Sequence, residues 1–443
     1  MVVDKHRPDD QETSDDNPAQ FEGVYFGHVR YAVHKHRSLT IANTGRVPAT
    51  ISMIDRPVGA GQAAGVTPPW LTVKLDERCI THSNVPTDSS RRTLEPGDVC
   101  NVDLYLRIMD PHLVRAFNEG IEVLDDILVL RVENGRDHFI PVRGKWLESS
   151  LGRSIDKLIR IPEGGIRRLQ RQRPDDSKAR AMAEELPVKW SAPRELFRLT
   201  EATETLTVAV IAEHGMTAAD QKPPWSVVAG WPFLSESWTT TTTEERADQM
   251  GAVSEALDSD KPLEESFYPE LSRLQQLESL AAFLLEYIQH VSEGVVTETQ
   301  WRHVDEAMHK YEHEKKPTSK DDQRTHIQEI LSQSPAHSIV FILLTSMLDR
   351  IIAEIVAAAA QGPSSSGIDL PITPSKRTGT MRKKDISREP AVALRQLTTR
   401  AFASLFAEIM IKAAVPAKEK DKAVLEERKV RFVELFLSKD AET

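Results

Sequence analysis

The sequence predicts an all-β domain followed by an all-α domain. Between residues 21 and 150, apolar residues recur with a period of two in short runs separated by turn signals, about seven strands in all. After Trp190 the apolar period lengthens to that of an amphipathic helix. Strand-type sequence followed by helix-type sequence indicates an antiparallel β-sandwich and then a separate helical domain.

Composition and charge restrict the class of protein. The chain has 443 residues, of which 40% are hydrophobic and 28% charged, typical of a globular protein with two or three domains. Its net charge of −11 argues against a general nucleic-acid binder, whose surface would be basic. The N-terminus does not resemble a signal peptide, and the longest apolar run, residues 339–344, is too short to span a bilayer. We therefore expect a cytoplasmic protein.

Strand patterns follow an acidic N-terminal segment. Residues 1–20 are rich in Asp and Pro, and we expect a tail or linker there. The runs around Ile41, Ile51, Leu71 and Val102 each alternate as a half-buried strand does. Turn signals separate them, among them Asn-Thr-Gly and Glu-Pro-Gly-Asp. These runs predict a β-sandwich over residues 21–150.

A hairpin is predicted within residues 124–147. Asn134-Gly135 lies between two β-rich runs, and Asn-Gly favours a two-residue type I′ turn, which needs positive φ at both positions. With that register, one face carries Leu128, Leu130, Val132, Phe139 and Pro141, and the other carries Ile127, Val129, Ile140 and Val142. Both faces are apolar, although a hairpin at the rim of a sheet needs only one. The second face is either covered by a neighbouring element or offered to a partner.

Residues 151–190 are predicted to form a basic linker. Seven arginines and lysines lie between Arg153 and Arg173, against only Asp156 and Glu163. A segment packed against its neighbours accounts for this pattern. A patch facing acidic membrane lipid is the alternative.

The helical domain is expected over residues 191–440. Ser191-Ala192-Pro193 has the composition of a helix start, and Gly215 is expected to end that first helix. Apolar spacing predicts another helix around Leu277. The segment that begins at Pro335 is apolar nearly all round, as in the core helix of a bundle.

Two more helices are predicted at residues 391–414 and 423–438. Between the core helix and these two, residues 361–390 are rich in Pro, Ser, Gly and basic residues. Such a composition cannot bury much apolar surface, so we expect a flexible insertion there.

Motifs for catalysis, cofactors or metals are absent from the sequence. It contains no P-loop, HExxH, GxSxG or glycine-rich dinucleotide fingerprint, so we expect no cofactor. His309 and His313 are spaced as neighbours on a helix, but no third ligand has suitable spacing, and a solvated face is the preferred interpretation over a metal site. Trp225, Trp231 and Trp238 recur at intervals of six and seven residues and form either a binding groove or the packing of an irregular segment.

Four sequence motifs of the first half occur in a characteristic order: FGHVRY, LTIANTGRVPATISM, LEPGDVCNVDLYL and LDDILVLRVENGRDHFIPVRGKWLESSLGRSI. Together they resemble the ASH domain of type II inositol polyphosphate 5-phosphatases, the group that includes the oculocerebrorenal (Lowe) phosphatase. In that family the domain is an immunoglobulin-like sandwich between the phosphatase domain and a RhoGAP-like helical domain. The resemblance implies an immunoglobulin-like sandwich over residues 21–150.

The second half resembles a degenerate, fungal version of the RhoGAP fold, through APRELFRLTEA, LAAFLLEYIQHVSEGVVTETQW and LTTRAFASLFAEIM. An active RhoGAP inserts an arginine from a Gly-Ile-Phe-Arg turn beside the transferred phosphate. The matching turn here places Phe233 at the arginine position, and the asparagine expected in the late helix falls on Ala401. The resemblance implies a RhoGAP-like domain without GAP activity, with Arg246 as the nearest arginine that could substitute.

The family resemblance implies a protein-interaction module. In the family the ASH domain binds GTP-loaded Rab proteins through the last hairpin strand and recruits the phosphatase to endosomal and Golgi membranes. The aromatic residue of that strand matches Phe139. Leu130 shares its predicted face, and Arg143 is expected to add a polar rim contact. The family's helical domain also binds short Phe/His endocytic peptides, and Rho-family GTPases are further candidate partners.

Two enzymatic alternatives stay open. One is a fragment of a longer phosphoinositide 5-phosphatase, because the metal-binding Asn and Glu and the Ser-Asp-His ending of the phosphatase do not occur in these residues. The other is an active Rho GTPase-activating protein, against which the missing arginine argues.

Overall fold

The computed structural model describes residues 2–5, 23–56, 65–75, 91–172, 191–217, 222–314, 318–361 and 388–437. The chain divides into two compact units, Met1–Ser149 and Ser150–Thr443. No helix in these described ranges is long and apolar enough to cross a bilayer.

The first unit is a two-sheet β-sandwich, as the sequence predicts. Its strands are β1 (Val2–Lys5), β2 (Val24–Val29), β3 (Lys35–Ala42), β4 (Ala49–Ile54), β5 (Leu71–Leu75), β6 (Arg91–Leu94), β7 (Val99–Leu106), β8 (Asp125–Val132) and β9 (Asp137–Trp146). One sheet has the order β1-β3-β7-β5 and the other the order β2-β9-β8-β4-β6. The pairing of β2 with β9 is parallel, whereas the other paired strands are antiparallel. Residues 2–5, expected in a tail, form an edge strand beside β3.

Alternating residues of the two sheets build the core of this unit. Buried side chains alternate along the strands, as at Leu39 and Ile41 of β3 and at Val102 and Leu104 of β7. The residues that alternate with them are partly or fully exposed. Each such aliphatic side chain contributes about 1.5–3 kcal/mol when it is removed from water. The period of two seen in the sequence is therefore the burial pattern of the strands.

A helix connects β7 to β8 and fastens the end of the hairpin. Asp110 caps α1 (Pro111–Glu119) by accepting a hydrogen bond from the His112 N–H, and Gly120, at φ 71°, ends it. The buried Asn118 of this helix donates to the Ser149 carbonyl at 3.0 Å. Its side-chain oxygen accepts from Trp146 Nε1 at 3.1 Å and from the Ser149 N–H at 2.9 Å. The C-terminal end of β9 is held in place by these three bonds.

The second unit is helical. Its α-helices are α2 (Ile155–Leu158), α3 (Gly165–Gln172), α4 (Arg194–Thr217), α5 (Pro224–Val227), α6 (Thr243–Asp258), α7 (Arg273–Gln289), α8 (Glu298–His313), α9 (Lys320–Leu331), α10 (Pro335–Gln361), α11 (Arg388–Met410) and α12 (Glu419–Leu437). Helix α10 packs against α4, α9, α11 and α12, as expected for a core helix. Gly215 does not end the first predicted helix, because α4 continues to Thr217. Most of the predicted insertion, residues 362–387, lies outside the described residues.

The N-terminal part of the basic segment packs on the helices of its own unit. The N–H and Oγ of Ser150 both donate to Asp258 at 2.8 Å, and the Ile155 N–H donates to Glu293 at 2.7 Å. Arg167 pairs with Glu255. Residues 173–190 of the predicted linker lie outside the described residues.

Candidate functional site

The turn between β8 and β9 determines which side chains of this hairpin are exposed on the surface. The Gly135 N–H donates to the Val132 carbonyl at 2.9 Å. Asn134 has φ 57°, whereas Gly135 does not take a positive φ, so the predicted type I′ turn is wrong. The strands pair Val129 with Phe139 and Leu128 with Ile140, one residue away from the predicted register. Because side chains alternate across a sheet, this shift moves Phe139 to the opposite face from Leu130.

The inner face of the hairpin belongs to the core of the sandwich. Leu128, Leu130, Ile140 and Val142 are all buried, and Leu130 is 0% exposed. The expectation that Leu130 lies beside Phe139 on a partner-binding face is therefore wrong. A side chain without exposed surface can influence a partner only through the position of its strand.

The outer face carries an apolar patch of graded exposure, which we call the hairpin strip: Ile127, Val129, Phe139 and Pro141. Phe139 is 63% exposed and Ile127 is 38% exposed, while Val129, directly opposite Phe139, is 3% exposed. Ile54 of β4 pairs with Val129 and extends the apolar row by one strand. An aromatic ring left in water beside other apolar side chains forms a surface whose burial by a partner is favourable in free energy.

Ion pairs close both ends of the hairpin strip. Arg131 donates to Asp137 through Nε at 3.0 Å and Nη2 at 2.8 Å. Arg143 Nε donates to Asp125 at 2.9 Å. The hydrogen bonds from Arg131 hold the pKa of Asp137 below its ordinary value. Arg143, which we expect to contact a partner protein at the rim of the interface, lies at one end of the hairpin strip and forms an ion pair with Asp125.

The two residues that the RhoGAP resemblance assigns to the arginine and asparagine positions lie in or beside the core of the helical unit. Phe233 is 1% exposed, and its ring packs edge-on against Phe402 and Phe406, with centroids 5.3 Å and 5.0 Å apart. Ala401 precedes Phe402 on α11 and is partly buried. Arg246 Nη1 donates to the Thr241 carbonyl and hydroxyl, both at 2.9 Å. Its guanidinium also lies 5.1 Å from the centre of the Trp238 ring, so these contacts engage it within its own unit.

The tryptophan and histidine patterns have structural explanations. Trp225 and Trp231 are buried with ring centroids 5.2 Å apart, which supports the packing interpretation of that segment. His309 and His313 stack on each other at 4.4 Å along α8. Within the described ranges, no group of three or more His, Cys, Asp or Glu side chains is placed to hold a metal ion.

The helical unit contains a buried carboxyl group that the sequence does not predict. Glu195 lies in the first turn of α4 and is 3% exposed, and its Oε2 has no hydrogen-bond partner among the described residues. Burial, with the nearby Asp258 carboxylate, raises the pKa of Glu195 to about 7. Tyr287 of α7 is close enough that the charge on Glu195 contributes to raising the pKa of its hydroxyl, after burial. A glutamate in a first turn ordinarily faces solvent, so its sequence position carries no signal of this burial.

The geometry of the first unit agrees with a comparison to known protein families. Residues 20–146 match the family model described as inositol polyphosphate 5-phosphatase OCRL-like, ASH domain. The β-sandwich matches the OCRL-like ASH domain. The resemblance predicted for residues 21–150 is confirmed, and the hairpin strip lies within the matched residues.

Two individual proteins show more limited similarity. The type II inositol 1,4,5-trisphosphate 5-phosphatase of Mus musculus is 28% identical over 138 residues, which cover 31% of this chain and 12% of that protein. The chain therefore spans a small part of the length of this relative. Human Rho GTPase activating protein 15 is a structural neighbour with a TM-score of 0.27 and 11% identity, covering 53% of this chain and 81% of that chain.

Proposed function

We propose that this chain is a non-catalytic targeting and protein-interaction module, and that its ASH domain binds GTP-loaded, Rab-type GTPases through the hairpin strip. The observation that carries the proposal is Phe139, 63% exposed on an apolar face. The family resemblance supports it, because ASH domains of this family bind Rab proteins through the same strand. Phe139 is the residue we expect to contribute most.

The composition of the surface is that of a protein–protein interface. Its centre is apolar and its two ends are Arg–Asp pairs, which corresponds to the hydrophobic core and polar rim of specific interfaces. A large aromatic side chain at such a centre is typically a hot spot, and shortening it costs about 2 kcal/mol or more of binding free energy. The exposed Arg–Asp pairs contribute more to orientation than to affinity.

In this proposal the helical unit does not activate GTP hydrolysis. The position expected for the catalytic arginine holds Phe233, an apolar ring that cannot stabilise charge on a phosphate. Arg246, the nearest substitute, is bonded to Thr241 and stacked on Trp238. We expect no acceleration of GTP hydrolysis by Rho-family proteins. Acceleration that an Arg246→Ala change abolishes would contradict this part of the proposal.

Recruitment to endosomal or Golgi membranes would follow from GTPase binding. We expect peripheral association through partners, with short Phe/His peptides as a second class of partner for the helical unit. The alternative is that the chain is part of a longer phosphoinositide 5-phosphatase, which the similarity to the mouse 5-phosphatase suggests. A blot of the endogenous protein decides, since a band far above 49.7 kDa would favour the alternative.

Binding to a panel of Rab proteins tests the proposal. Each GTPase is loaded with a GTP analogue or with GDP, and binding to the full chain is measured by titration calorimetry. Phe139→Val is expected to weaken GTP-selective binding at least tenfold. Phe197→Val makes the same change at an exposed phenylalanine of α4, and it should leave the affinity unchanged. No binding across the panel, or equal affinity of Phe139→Val and wild type, would refute the proposal.

A further inference from the structure

The two strands of the β8–β9 hairpin carry the same pattern of surface residues. Residues 125–131 read DDILVLR and residues 137–143 read DHFIPVR, an offset of 12 residues (137 − 125). In each segment the first residue is Asp, the third and fifth are apolar, and the seventh is Arg. These alternate positions form the outer face, because side chains alternate across a strand.

Cross-strand pairing turns this repeat into a symmetric ladder. Four pairs follow one another along the hairpin, and we call them the hairpin ladder: Arg131–Asp137, Val129–Phe139, Ile127–Pro141 and Asp125–Arg143. Two apolar rungs thus lie between two charged rungs. The arginine belongs to β8 at one end and to β9 at the other. A local two-fold axis perpendicular to the sheet therefore relates the two halves of the ladder.

A surface with this arrangement is complementary to itself. Consider a second copy turned face to face by a two-fold axis that runs parallel to the strands. Arg131 then meets Asp137 of the second copy, and Asp125 meets its Arg143. An axis perpendicular to the strands instead sets Arg131 against Asp125 of the second copy. In both cases opposite charges meet at every corner and the apolar rungs face one another, which is the condition for an isologous dimer.

We propose that the hairpin ladder is also a docking surface for a second copy of this chain. Charge complementarity favours this occupant, because a second copy sets an opposite charge against each of the four corners. The ladder is about 20 Å long and 10 Å wide, on the order of 200 Å² per copy, from the strand rise and spacing. Standard interfaces bury about 800 Å² per partner, so this dimer is weak and forms at high local concentration.

Self-association through this surface would exclude a GTPase partner. This consequence rests on the proposed function, since both partners would cover Phe139. The dimer itself does not depend on it. Occupied by a second copy, the ASH domain would be closed to a GTPase, and GTPase binding would release monomers.

Charge reversal in two matched variants tests the dimer. Asp125→Lys with Asp137→Lys makes all four corners positive, and Arg131→Glu with Arg143→Glu makes all four negative. Sedimentation equilibrium of the full chain is measured up to roughly 300 µM, because a dimer with so small an interface is populated only at high concentration. Wild type is expected to self-associate, and each variant alone is expected to be monomeric, with at least tenfold weaker association. An equimolar mixture of the two should restore association.

Controls separate surface charge from loss of folding. Lys418→Glu with Lys420→Glu makes the same change in net charge as the arginine variant, at exposed positions outside the ladder, and should leave self-association unchanged. Circular dichroism reports whether each variant is folded. Should a double variant fail to fold, Phe139→Asp alters one exposed side chain and is expected to abolish the dimer.

The outcomes distinguish the two proposals. A wild-type chain that stays monomeric over the whole range, or folded variants that do not associate when mixed, would overturn the dimer. A GTPase that binds without reducing the dimer fraction would overturn mutual exclusion and leave GTPase binding intact. A dimer with the expected charge behaviour and no GTPase binding would support the ladder and refute only the proposed function.

Discussion

Replacing Glu195 with glutamine tests a buried carboxyl group of the helical unit whose pKa is raised. Glu195 is buried with Asp258 and Tyr287 nearby, and Arg194 and Arg198 only partly offset the cost of its charge. Its pKa is raised from the ordinary 4.5 to about 7. The folded unit therefore binds the Glu195 proton more tightly than the unfolded chain does. The stability that this proton provides is complete below pH 4.5 and is lost as the pH rises to 7.

The size of the effect follows from the shift in pKa. The difference between about 7 and 4.5 is roughly 2.5 units, and each unit corresponds to about 1.36 kcal/mol, which gives about 3.4 kcal/mol. Glutamine stays neutral at every pH. Part of this stability is already lost at pH 5, so between pH 5 and pH 8 the free energy of unfolding of wild type should fall by about 2.5 kcal/mol more than that of Glu195→Gln.

Urea unfolding followed by far-ultraviolet circular dichroism measures this difference. The helical unit dominates that signal, and the other titrating groups are common to both proteins, so their contributions cancel in the comparison. Glu201→Gln is the matched control, because Glu201 is exposed on the same helix, α4. Parallel pH profiles for wild type and Glu195→Gln would refute the reasoning. A profile of the Glu201→Gln variant that differs from wild type would assign the effect to surface charge instead.

Three further substitutions probe other parts of the structure. Asn118→Ala removes the bonds that fasten the end of β9 and should lower the thermal stability of the ASH domain by about 2–3 kcal/mol, read from calorimetric unfolding. Arg428→Ala removes the cation that Asp305 and Glu312 share and leaves Glu312 with Arg431 alone, so it should destabilise α12 by about 1–3 kcal/mol, seen as faster hydrogen exchange in that helix. Phe233→Arg places a charge in the aromatic core, so it should lower urea stability by more than about 3 kcal/mol and confer no GTPase activation in a phosphate-release assay.

Most of the architecture was predictable because it follows from local patterns. A period of two predicted the strands of the sandwich, and a helical period predicted the helices of the second unit, including α10 with its nearly uniform apolar surface. Family motifs placed Phe139 on the last hairpin strand, where it is exposed. The sequence did not predict the exact ends of the elements, since tertiary contacts decide whether a helix continues past a residue such as Gly215.

The register of the hairpin and the environment of Glu195 were decided only by the tertiary structure. Asn134-Gly135 is compatible with more than one turn, and the turn in which only Asn134 takes a positive φ moves the pairing by one residue. That single step buries Leu130 and sets Val129 beside Phe139. Glu195 is perturbed because distant segments of the chain surround it. Sequence determines which residues alternate or repeat along the chain. Which of their faces meets water depends on pairing between residues far apart in sequence, and local periodicity does not encode that pairing.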